Sequence, residues 1–120
     1  MPRLLEVHRD DFTISTDPAR LDADAIAEML KRAYWAQGRP RERVDRSLAN
    51  SLVFGLYDGE KQIGLARVVS DYAIFAYLCD VFIHEGYRAQ GLGKWLMQTD
   101  RKSTRLNSSH HVVSRMPSSA

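Results

Sequence analysis

The 120-residue chain contains a single cysteine, Cys79, so no disulfide can form within it. It also has no apolar run of the roughly 18 residues needed to cross a bilayer as a helix. Its first residues, Met1-Pro2-Arg3-Leu4-Leu5-Glu6-Val7-His8, reach Asp10 and Asp11 without the apolar stretch of a secretion signal. These absences point to a reducing cytoplasm and exclude a membrane partner. His8 and His84 lack metal-ligand spacing, and no metal site is expected. Basic charge in excess is missing too, once its location is considered. The chain has 17 basic and 15 acidic residues, but Arg101, Lys102, Arg105 and Arg115 all lie after residue 100, where no acid occurs. Residues 1–100 are therefore net acidic, and no nucleic-acid partner is expected.

What is present is the composition of one small globular domain, 44% apolar and 27% charged. Residues 11–16 alternate apolar and polar and predict a half-buried strand. Asp22 is placed to cap a helix whose apolar face is Ile26, Met29, Leu30 and Ala33. Gly38 and Pro40 interrupt that pattern, and Pro40 suits the start of a second helix carrying Val44 and Leu48. Residues 51–57 and 62–69 read as strands joined at Asp58-Gly59, a strong hairpin signal. Residues 73–84 form an apolar and aromatic run, read as a central strand in which Asp80 is the one acid. Leu92, Trp95, Leu96 and Thr99 then recover helical spacing. The expected order is β-α-α-β-β-β-α.

The segment that carries chemistry is 81–94, a strand running into a glycine-containing loop and at once into a helix. Amides at a helix start have no intrahelical partners and sit at the positive end of the helix dipole, which suits them to a phosphate. Gly91 and Gly93 allow close approach of an anion, and Arg88 and Lys94 add positive charge. Two better-known phosphate loops do not fit. A P-loop needs Lys followed by Ser or Thr after its second glycine, where this chain has Leu92 and Gly93. A dinucleotide fingerprint needs a third glycine where Leu96 stands.

The remaining pattern is R-x-x-G-x-G, at Arg88, Gly91 and Gly93, behind an aromatic-rich strand and Tyr87. With Tyr34-Trp35, Arg39-Pro40, Ser51 and the strands at 64–71 and 75–83, it resembles the acyl-CoA-binding motif of the GNAT superfamily of N-acetyltransferases over about residues 11–99. One departure is Ala89, where the family often has glycine; tolerance is expected. The resemblance implies an α/β fold of the acyl-CoA N-acyltransferase type, with a mixed, mostly antiparallel sheet and flanking helices. It implies acetyl-CoA as co-substrate, with the backbone of Val81, Phe82 and Ile83 holding the pantetheine arm. The pyrophosphate would lie on the amides of Ala89 or Gln90 through Gly91, Leu92, Gly93 and Lys94, beside Arg88. The acceptor would be a small-molecule or peptide amine that attacks the thioester directly, and a homodimer is compatible with this. Direct attack needs a proton acceptor. Asp80 is the candidate, because burial in an apolar strand would raise its pKa.

Blander readings stand beside these. For Asp80, pairing with an arginine such as Arg67 outweighs catalysis. Cys79 reads as a small buried hydrophobe. Tyr34, Trp35, Phe75 and Tyr77 could line an acceptor pocket or simply pack. Arg39, Arg41, Arg43 and Arg46 could receive an anion, although a solvated helix face is the stronger account. A non-catalytic acyl-CoA-binding module is the alternative to an enzyme.

From Arg101 the composition changes to a basic, Ser-rich stretch without apolar period, acid or aromatic. It resembles translated sequencing-adapter sequence. Residues 1–100 are therefore expected to be the N-terminal part of one domain, incomplete at its C-terminus, and 101–120 a non-native or disordered tail. Such a fragment would expose an edge of the central strand and have little activity.

Overall fold

The computed structural model describes residues 4–32, 38–71, 74–104 and 111–114. Ala33, Tyr34, Trp35, Ala73, Arg105 and Arg115, which entered the sequence reading, lie outside them. Strands β1 (Glu6–Arg9), β2 (Phe12–Ser15), β3 (Leu52–Asp58), β4 (Lys61–Ser70), β5 (Phe75–Ile83) and β6 (His111–Ser114) form one sheet in sequential order. The first five are antiparallel, and β6 runs parallel to β5. Helices α1 (Ala23–Arg32), α2 (Arg41–Ala49) and α3 (Leu92–Thr104) flank the sheet.

The local signals explain most of these elements. Asp22 Oδ1 accepts from the Ala25 amide at 3.0 Å, so it caps α1 as its residue type predicts. The periodic Ile26, Met29 and Leu30 are buried with Val44, Val53, Leu65 and Phe82 between the sheet and the helices. Each such side chain contributes about 1.5–3 kcal/mol by leaving water. The opposite face buries Phe54, Val68, Ala76, Leu78, Val81 and Ile83 against Leu92 and Leu96 of α3. The β3–β4 register pairs Asp58 with Lys61, which makes the loop Gly59-Glu60, with Gly59 at φ 61°. The turn thus lies one residue later than Asp58-Gly59, and its left-handed position is the one glycine serves.

Three features differ from the sequence reading. A further strand, β1, precedes the expected first one and pairs Glu6 with Ser15 through Arg9 with Phe12. β5 is not regular: Arg67 pairs with Asp80 but Val68 pairs with Leu78, so Cys79 is the extra residue of a bulge. α3 continues to Thr104, and His111–Ser114 lies along Phe75–Leu78, so backbone of the basic stretch extends a helix and adds a strand.

Candidate acetyl-CoA site

The bulge decides which way Asp80 faces. In an unbroken strand Asp80 would share a face with Ala76 and Leu78, inside the core under α3. The extra residue turns it to the other face, opposite Arg67. There Arg67 Nε donates to Asp80 Oδ2 at 2.8 Å. Arg39, from the segment just before α2, donates through Nη1 at 3.2 Å and Nη2 at 3.3 Å to the two carboxylate oxygens. Arg67 Nη1 also donates to Ser51 Oγ at 3.1 Å. Burial pushes the Asp80 carboxyl up, but the hydrogen bonds and charges of Arg67 and Arg39 outweigh it, and the group is held below the usual carboxylate range. The expectation of a raised pKa is therefore corrected; the alternative of pairing with Arg67 is what the geometry contains, with Arg39 added. The neighbouring Cys79 thiol is pushed up by burial.

Beyond the bulge, register fixes the direction of each backbone group. The His84 amide donates to the Ile63 carbonyl at 2.7 Å, so His84–Ile63 is a hydrogen-bonded pair. Pairs alternate in an antiparallel ladder, so Phe82–Leu65 is bonded, while Val81–Ala66 and Ile83–Gly64 are not. Val81 and Ile83 therefore turn their amides and carbonyls away from β4, toward the other edge. Phe82 turns its own toward β4, and its role in holding a pantetheine arm is corrected on that ground. On the outer edge β6 pairs only with Phe75–Leu78, so among the described residues no strand covers Val81 or Ile83 there. The Ile83 carbonyl accepts from Arg88 Nε at 3.1 Å, and the Arg88 guanidinium lies 5.4 Å from the Phe82 ring centre. Arg88 thus holds an acceptor expected for the ligand.

The strand leads into a 3-10 turn, Glu85–Tyr87, whose first amides are capped by His84 Nδ1 accepting from Gly86 at 3.2 Å. Tyr87 anchors the turn by donating its hydroxyl to Asp58 Oδ2 at 2.8 Å, with its ring edge-on to Phe12. Ala89 and Gly91 then adopt φ 65° and 76°. Glycine is indifferent to this region, whereas alanine strains by about 1–2 kcal/mol there. The first intrahelical bond of α3 runs from the Trp95 amide to the Gly91 carbonyl at 3.1 Å. The amides of Leu92, Gly93 and Lys94 precede it and lack helical partners. Leu92 is buried in the core and pins the helix start, while Gln90, Gly91 and Lys94 are exposed.

Arg9, at the end of β1, was missed by the sequence reading. Its guanidinium sits 4.8 Å from the Trp95 ring centre, with Nη2 3.5 Å from the Gly91 carbonyl oxygen. No local signal could have placed it, since 82 residues separate it from Gly91.

The sequence profile of the acetyltransferase (GNAT) family matches residues 3–99, a range that contains this edge, the glycine-containing loop and the helix start. The chain belongs to the GNAT acetyltransferase family. A Gibberella zeae protein named for acetyltransferase similarity is 33% identical over an alignment 110 positions long, which covers 75% of this chain and 62% of that relative. The chain therefore spans about three-fifths of that relative's length. A GNAT-family protein of Xanthomonas campestris pv. campestris has a similar structure, with a TM-score of 0.77, 34% identity, and coverage of 90% of this chain and 75% of the other. The fold is shared by a GNAT acetyltransferase of Elizabethkingia anophelis solved with acetyl-CoA bound, with a TM-score of 0.67, 17% identity, and coverage of 88% and 65%. Among the described residues no cluster of metal-ligating side chains occurs, and no helix is long and apolar enough to cross a membrane.

Proposed function

We propose that this chain binds acetyl-CoA as part of an enzyme that transfers the acetyl group to a primary amine by direct attack. The observation that carries this reading is the continuous path from the outward-facing backbone of Val81 and Ile83 to the amides of Leu92, Gly93 and Lys94. The first can pair with the amides of a pantetheine arm, and the second suits a pyrophosphate. Arg88 releases the Ile83 carbonyl when that arm binds, and its charge is then available beside the loop. Ala89 and Gln90 shape the approach to the helix start. Acetyl-CoA supplies the activated acyl group. Asp80 enters as the anion that fixes Arg67 and Arg39, since a carboxylate held low by two guanidiniums is a weak proton acceptor. The Elizabethkingia anophelis relative with bound acetyl-CoA supports the choice of ligand.

A non-catalytic acyl-CoA-binding module is the second reading, favoured by the engagement of Asp80 with both arginines. We also propose that residues 101–120 are non-native and replace the natural continuation, and that the protein acts in the cytoplasm. The change of composition at Arg101 supports the first. A homodimer fits this reading.

Titration of the folded chain with acetyl-CoA, followed by an assay of CoA thiol release over an amine panel, tests these statements. Micromolar binding with little turnover is expected, and turnover on restoring the gene's own downstream sequence. A folded chain that does not bind acetyl-CoA would refute the ligand. Binding without turnover after restoration would favour the module.

A further inference from the structure

We propose that Arg39 and Arg67 form a recognition site for a carboxylate, so that the amine acetylated belongs to a molecule that also carries a free carboxylate group. This rests on the acetyl-transfer reading above and adds the class of acceptor to it.

The first support is charge. Two guanidiniums share one carboxylate, Asp80, and among the described residues Arg39 and Arg67 have no other anionic partner. The group is net positive in a place where Asp80 is 2% exposed and the Arg67 side chain 15%. A single uncompensated positive charge in such surroundings is matched by a single negative one, which a carboxylate supplies. The second support is donor count. A guanidinium has five N–H groups in a planar fork. Arg39 uses two on Asp80, and Arg67 uses one on Asp80 and one on Ser51. Donors suited to bidentate capture of a second carboxylate remain on both, and the Arg39 side chain is 34% exposed to meet it.

Location is the third support. The bulge at Cys79 places the cluster where pairing with β6 has ended and next to Val81, at the head of the free edge. A carboxylate held here lies beside the end of the edge that the thioester arm would follow. On the same face of the sheet, beyond Arg67, come Val69, Tyr77 and Phe75, with Val69 40% and Phe75 39% exposed. They offer an apolar floor for the body of the acceptor, so an apolar amino acid or a peptide ending in one matches both halves of the surface.

The test uses N-acetyl-L-phenylalanine and its neutral carboxamide, titrated calorimetrically into this chain at low salt. The carboxylate probe should bind at least about tenfold more tightly, as one added charge-assisted pair allows. Arg39→Gln should reduce that preference to below about threefold, Arg39→Lys should keep part of it, and 0.5 M salt, roughly enough to screen it, should narrow it. Arg39→Gln leaves Asp80 paired with Arg67, and a thermal melt checks that it folds. Equal binding of acid and amide, binding of neither, or an equal effect of Arg39→Gln on both would overturn the proposal. Acetyl-CoA binding is titrated separately, so its loss counts against the acetyl-transfer reading alone.

Discussion

Between Asp80 and Lys94 the chain passes through two regions suited to anions, built by different means. At Asp80 the donors are guanidiniums from two separate parts of the sequence, Arg39 and Arg67, gathered on one buried carboxylate, with Ser51 accepting from Arg67. At Ala89 to Lys94 the donors are backbone amides of consecutive residues, aimed by two left-handed positions and a helix start. The first region depends on Asp80, because removing that carboxylate leaves two guanidiniums without their anion. The second is shaped by conformational preference and should tolerate changes that leave φ alone. The comparison predicts costs of several kilocalories at the first and of about one at the second.

The largest effect should follow from Asp80→Asn. It leaves Arg67 15% exposed beside an uncharged group, and removing one partner of a buried pair costs about 3–5 kcal/mol. Urea unfolding would measure it; a loss below about 1 kcal/mol would show that the pair is not buried in solution. The same carboxyl sets an acid limb. Its folded pKa is below its unfolded value, so its stabilisation is present above the ordinary carboxylate range and is lost as pH falls through the depressed value. Asp80→Asn should flatten that limb.

Asp100 on α3 should slope the other way. Burial pushes its carboxyl up to about 6 from an ordinary 3.8. The folded state binds that proton more tightly, so stability declines as pH rises from about 4 to 6. Asp100→Asn should remove the decline and gain on the order of 2 kcal/mol at pH 7. Unfolding curves between pH 4 and 7 decide this, and identical slopes in both proteins would contradict it.

Effects in the loop are smaller. Gly91→Ala at φ 76° should cost about 1–2 kcal/mol and weaken acetyl-CoA binding, as read by melting temperature and titration. Ala89→Gly at φ 65° should change stability least, with a gain of at most about 1 kcal/mol, partly cancelled by added freedom in the unfolded chain. If Gly91→Ala were as costly as Asp80→Asn, the contrast between the two regions would fail.

The loop was legible because its signals are local. Gly91, Gly93 and the following Leu92-Trp95-Leu96 spacing mark a turn and a helix start whatever surrounds them. The α1 cap at Asp22 and the hairpin at Gly59 were readable for the same reason. Ala89 was expected to be tolerated, and only the backbone shows its positive φ of 65°. The Asp80 cluster was only half legible. Arg67 could be named as a partner, but Arg39 was assigned to a solvated helix face, and burial alone gave the wrong direction for the pKa. Arg41 does behave as that reading holds, pairing with Asp24 and Asp45 at the surface.

What the sequence determined by itself is the set of elements with short-range causes: helices α1 to α3, the β3–β4 hairpin, and the anion-suited start of α3. Caps, turns and apolar periods act over a few residues, so the residues that cause them are also the ones that show them. Only the tertiary structure decided the bulge at Cys79, the face on which Asp80 lies, the arrival of Arg39 and Arg9, and which of Val81, Phe82 and Ile83 face the free edge. Each depends on register between strands, and a shift of one residue reverses every side chain and every backbone group beyond it.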